Sequence, residues 1–196
     1  MSATNRHALQ LYGYLGLFAA LLYFLSLDLK YRFALFAMED GLAFILNQIG
    51  FVFAMLCLLM MLFGMWQTNA TGSQPAARLA LATLIIGWMI QIIGEGAILL
   101  SYDGISRLIW IGESLVMIGA LIGGVEIVIS GSWRGWRCFV ILLLGLLVLL
   151  TLRMRSVQSV TLLLEAQIAV GWFFVALALA TFGGASGLQD SAEIAR

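Results

Sequence analysis

Apolar residues in this chain come in long blocks, and the polar residues inside them recur at helical rather than alternating spacing. Six blocks read as membrane spans: residues 11–27, 41–66, 78–100, 108–130, 138–152 and 160–182. A helix rises about 1.5 Å per residue, so about 20 residues cross the hydrocarbon layer. The second block, with 26 residues, is long enough to require tilt. The fifth has 15 residues between Arg137 and Arg153. It reaches only about 22 Å, so both arginines are expected to snorkel outward. Ten-residue alternating strands do not occur, which argues against a barrel. The expected fold is an all-α, polytopic transmembrane helical bundle of six spans. It forms one integral membrane domain over residues 1–196, with 183–196 a disordered polar tail.

The third block carries the most informative pattern. Thr83, Gly87, Gln91, Gly94 and Glu95 share one helical face, and Ile85, Ile86, Met89, Ile90, Ile92 and Ile93 cover most of the rest. A helix in lipid keeps small and polar side chains for neighbouring helices. The pattern therefore predicts a central helix with Glu95 aimed at the protein interior. Gly87 and Gly94 are candidate packing positions, as are Gly119 and Gly123 of a G-x-x-x-G in the fourth block. In the first block Gly16, Ala19, Ala20 and Tyr23 make a further small-residue face.

The connectors are polar. Residues 1–10 read as a solvated tail containing Arg6 and His7, and no A-x-A cleavage site follows the first block, which is read as a retained anchor. Residues 28–40 form a charged connector in which Leu29, Phe33 and Phe36 have helical spacing; it either lies flat at the interface or is an ordinary loop. Residues 67–77 hold the single proline, Pro75, and a weak glycosylation match, Asn69-Ala70-Thr71. Residues 131–137 carry two Trp-Arg pairs, the composition of an interfacial anchor.

Composition agrees with the pattern: of 196 residues 63% are hydrophobic and 10% charged, against about 25% charged in a soluble domain. Zero net charge argues against nucleic acid as a partner. The lipid bilayer, a membrane protein or a second copy of the chain are the partners to expect. Cys57 and Cys138 read as packing residues. The positive-inside count ties. Arg6, Arg78, Arg134, Arg137 and Arg196 lie on the side of the termini, and Lys30, Arg32, Arg107, Arg153 and Arg155 lie on the other. Cytoplasmic termini in a bacterial cytoplasmic membrane are the favoured arrangement, because no cleavable signal is found and Lys30 and Arg32 have acidic neighbours.

Three glutamates lie at one depth. Glu95 is five residues from the end of the third block, and Glu113 and Glu165 are five residues into the fourth and sixth. Each carboxyl starts about 8 Å inside the boundary opposite the termini. Asn47 and Gln48 enter at a similar level, and Gln91 lies one turn deeper than Glu95. A carboxylate in hydrocarbon is costly and finds a partner. Three readings follow. The glutamates pair with Arg107, Arg153 and Arg155 and pin helix ends; or they line a proton- or cation-binding cavity; or they meet the polar head of a lipid or other amphiphile.

Catalytic, cofactor and metal motifs are not found. One histidine cannot make H-E-x-x-H, no span carries a haem ligand, and the single lysine is expected in a loop, which argues against a retinal Schiff base. The four aspartates lie in connectors or the tail. The leading expectation is a non-enzymatic accessory or interaction subunit that binds a membrane partner or lipid. The alternative is a small proton- or cation-coupled transporter built on Glu95, Glu113 and Glu165.

Overall fold

The computed structural model describes residues 3–32, 41–98, 106–133, 135–154 and 161–181. Within them the chain is all helical. The helices are α1 (Ala3–Arg32), α2 (Leu42–Gln67), α3 (Pro75–Ile98), α4 (Ser106–Ser130), α5 (Val140–Met154) and α6 (Thr161–Ala180), with a 3-10 turn at Gly135–Phe139 before α5. Five helices are long and apolar enough to cross a membrane. The sixth, α6, has 20 residues. The proposed disordered tail lies outside the described residues.

Several boundaries differ from the sequence reading. Helix α1 begins within the expected polar tail and runs on through Arg32, so Asp28 to Arg32 are its last turns and not a connector. Pro75 opens α3, where its missing N–H costs nothing, so the loop is shorter than expected. The 3-10 turn lengthens the fifth apolar run to 19 residues, Gly135–Arg153, which removes most of its shortfall. The aromatic residues Phe33 and Phe36 fall outside the described residues.

Consecutive helices pack on one another, and α6 packs back on α1, so the six form a closed ring. The α3–α4 and α1–α6 contacts are the most extensive. Helix α3 is therefore one member of the ring, between α2 and α4, and not a central helix. Glycine sets the closeness of the two large seams. A Cβ on Gly87 would lie 2.7 Å from the backbone N of Val116 and 2.8 Å from the Gly112 oxygen. One on Gly119 would lie 2.6 Å from the Leu84 N and 2.7 Å from the Ala80 oxygen. Ala80, Gly87 and Gly94 recur every seven residues along α3, as do Gly112 and Gly119 along α4, the repeat of a left-handed helix pair. Gly94 meets Ile109, and Gly123 meets Ala80 at an ordinary distance of 3.4 Å. On the other seam, Gly13 faces the backbone of Leu179 and Ala180, and Gly16 faces Met61 and Ala176.

Six helices in a ring enclose more space than aliphatic side chains fill. Four aromatic residues fill it. Tyr23 stacks on Phe51 with ring centroids 4.6 Å apart and lies 6.2 Å from Trp88, which in turn lies 4.8 Å from Trp172. This column joins α1 to α3 and α3 to α6, pairs that are not ring neighbours. Trp88 Nε1 donates to the Met55 carbonyl at 2.7 Å, whereas the fully buried Trp172 Nε1 has no acceptor. Leu, Ile, Val and Phe side chains populate the outer surface of every helix, the arrangement a lipid environment requires.

The end carrying the termini is tied together by polar contacts. Trp133 Nε1, between α4 and α5, donates to the Ala70 carbonyl at 2.6 Å, and Arg137 donates to the Thr181 carbonyl at the end of α6 at 2.8 Å. In the α2–α3 loop Asn69 adopts a left-handed φ of 50°, which asparagine tolerates. Its Oδ1 accepts from Arg78 at 2.6 Å, and Thr71 is 4% exposed.

The glycine contacts generate a paired test. Gly87→Ala is expected to destabilise by about 1–3 kcal/mol, since backbone atoms of α4 must move. Gly96→Ala, with nothing within 4 Å of the added carbon, is expected to be neutral or slightly stabilising. Thermal unfolding in detergent compares the two, and equal losses would contradict the packing described.

Candidate functional site

The buried side of α2 reads Phe44, Gln48, Phe51, Met55, Leu58, Leu62, Met65, a 4-3-4-3 repeat with one polar member. Burying a glutamine at such a position demands partners for its amide, and α1 and α3 supply them. Gln48 Nε2 donates to a Glu95 carboxylate oxygen at 2.7 Å and lies 3.1 Å from the Glu95 carbonyl. Gln48 Oε1 accepts from Lys30 Nζ at 3.4 Å. The Lys30 ammonium lies 4.0 Å from the same Glu95 oxygen and 5.5 Å from the centre of the Phe51 ring. Gln48 is 0% exposed and Lys30 6%. The cluster joins three helices near the end of the bundle opposite the termini, and Phe51 also caps the aromatic column.

This arrangement corrects two expectations. Lys30 stands in the last turns of α1 and not in a loop. Glu95 pairs with Lys30, and among the described residues not with Arg107 or Arg153. Arg107 and Arg153 are exposed, and Arg155 lies outside the described residues. A carboxylate and an ammonium taken out of water need each other, since removing one partner of a buried pair costs about 3–5 kcal/mol.

The other candidate residues are dispersed. Asn47, one residue from Gln48, turns to α1 and donates to the Ser26 carbonyl at 3.1 Å. Gln91 is buried against Gly112 of α4 and does not join the cluster. Glu113 is half-buried on α4 and is engaged in a contact of its own. The side chain of Glu165 lies outside the described residues. Among the described residues no three of His, Cys, Asp and Glu come close enough to share a metal ion. The cluster is completed by Gln48, which the sequence places only at the level of Glu95, and by Lys30, which it places in a loop. The 4-3-4-3 repeat of α2 was a usable signal for Gln48; for Lys30 there was none, because its burial depends on where α1 ends.

A second feature lies on the outer surface. Where the tight Gly13 and Gly16 contacts end, α1 and α6 leave an apolar groove of about 190 Å³ between them. Ala20, Leu21 and Phe24 form one wall, and Ala169, Val170 and Phe173 the other. Compared with protein-family models, curated protein sequences and solved structures, the chain matches none.

The cluster makes a specific energetic prediction. Glu95→Gln removes the carboxylate charge beside the Lys30 ammonium and is expected to cost about 2–4 kcal/mol, whereas Lys30→Met combined with Glu95→Met removes both charges and is expected to cost less than either single change. Asn47→Ala, which loses one half-buried hydrogen bond, is expected to cost about 1 kcal/mol. Unfolding midpoints in detergent measure the cycle; additive losses would contradict a coupled pair.

Proposed function

We propose that this chain is a non-enzymatic integral membrane protein, an accessory subunit that works by binding a membrane partner or lipid through its outer surface. The observation that carries this reading is the interior. Tyr23, Phe51, Trp88 and Trp172 fill the middle of the ring, and Glu95, the carboxylate best placed for proton or cation work, is already matched by Lys30. A coupling carboxylate must alternate between occupants, and a buried ammonium on the same oxygen opposes that. What remains for recognition is the apolar exterior, including the α1–α6 groove, whose chemistry suits an acyl chain or an aliphatic helix face.

Orientation follows from the same pair. The positive-inside rule counts cations in the connectors, and Lys30 lies within α1, buried against Glu95. Without it the side opposite the termini keeps Arg32, Arg107, Arg153 and Arg155, four cations against five on the terminal side. We infer on this count that the termini are cytoplasmic, with the chain in a bacterial cytoplasmic membrane.

Native mass spectrometry of the complex, extracted in mild detergent, tests the reading: a mass that includes another subunit or retained lipid is expected. A bare homodimer whose cation flux in vesicles collapses on Glu95→Gln would replace it with the transporter reading. For orientation, a fluorescent protein that matures only in the cytoplasm, fused after Arg196, is expected to fluoresce; a dark fusion of normal abundance would reverse the assignment.

A further inference from the structure

The chain contains one lysine among ten Lys and Arg residues, and among the described residues that lysine is the buried cation. Arginine is used at each of the other cationic positions. The two side chains are not equivalent: guanidinium is a wide planar fork, and ammonium is a compact point charge. The surroundings of Lys30 Nζ suit the second. A carboxylate oxygen of Glu95 lies at 4.0 Å, the amide oxygen of Gln48 at 3.4 Å and the face of Phe51 at 5.5 Å. Anion, neutral acceptor and aromatic face together are the recognition chemistry of an alkylammonium group. The receiving groups are also arranged independently of the lysine. Gln48 Nε2 is fixed by the Glu95 carboxylate and carbonyl, which leaves its Oε1 turned toward the ammonium, and Phe51 is held by Tyr23.

The geometry points to a primary-ammonium binding site formed by Glu95, Gln48 and Phe51, in which Lys30 of the last turns of α1 is the resident, tethered occupant. This assignment stands independently of the accessory-subunit reading. Its consequence is that the site accepts a free alkylammonium once the tether is removed. The group can come from a soluble amine or from the ethanolamine headgroup of a lipid.

The experiment uses Lys30→Ala, which deletes the atoms that n-propylammonium replaces. In detergent, the variant is expected to unfold at least about 5 °C below the wild type. Millimolar n-propylammonium chloride is expected to restore half of that loss or more, saturably. Neither n-propanol nor potassium chloride should do so, and Lys30→Ala combined with Glu95→Gln should not respond. Recovery equal with n-propanol would reduce the effect to cavity filling and overturn the assignment. So would the absence of recovery. If Lys30→Ala does not survive extraction, the additives are supplied during solubilisation and the monodisperse fraction is compared by the same criteria. In bilayer discs, a gain in phosphatidylethanolamine over phosphatidylcholine assigns a lipid headgroup as the source, and a gain with the free amine alone assigns a soluble one. A gain from neither overturns the site.

Discussion

A ring of helices cannot close on a void. Close packing of a protein interior leaves few gaps larger than a water molecule, and in a bilayer there is no water at hand to fill one. Six helices in a circle can therefore stay closed only if their inward side chains span the middle. Phe51, Tyr23, Trp88 and Trp172 do this as one column. Because the column links α1 with α3 and α3 with α6, it couples helices that the ring alone would leave apart. The glycine seams follow from the same constraint. Helices drawn inward around a fixed column must approach closely somewhere, and they do so where α3 meets α4, where α1 meets α6 and where Gly124 and Gly145 bring α4 onto α5.

The polar cluster completes one end of that column. Phe51 packs on Tyr23 and also lies beneath the Lys30 ammonium. The apolar core thus passes directly into a charged pair without an intervening layer. Gln48 makes the junction possible, because an amide both donates and accepts and so bridges a carboxylate and an ammonium that sit 4.0 Å apart. Asn47 offers the same chemistry one residue earlier and cannot replace it, since a step of one residue turns a helical side chain through about 100°.

The interior and the exterior therefore have different standing. Inside, shape and charge are matched by the chain itself. Outside, Leu, Ile and Phe side chains and the α1–α6 groove are matched by whatever surrounds the protein. This division of surfaces is what turns attention from chemistry within the bundle to recognition along its flank.

The class and the number of helices are legible in the sequence; of the close-packed glycines it singles out Gly87, Gly94 and Gly119 but not Gly13, Gly112 or Gly124. Block length against bilayer thickness and small residues at helical spacing are local signals, readable one segment at a time. It also placed Glu95, Asn47 and Gln48 at one depth, because depth is a count along the helix. Only the tertiary structure decided which of them meet. Lys30 was assigned to a connector because charge normally ends a span, yet α1 continues through it and carries the ammonium back to Glu95. Likewise, the polar face of α3 suggests a central helix, but Gly87, Gln91 and Gly94 of that face pack on α4 and Glu95 turns to α1 and α2, while aromatic side chains from four helices meet inside the ring. Pairing across helices depends on azimuth and on which segments are neighbours, and neither quantity is written in the periodicity of a single segment.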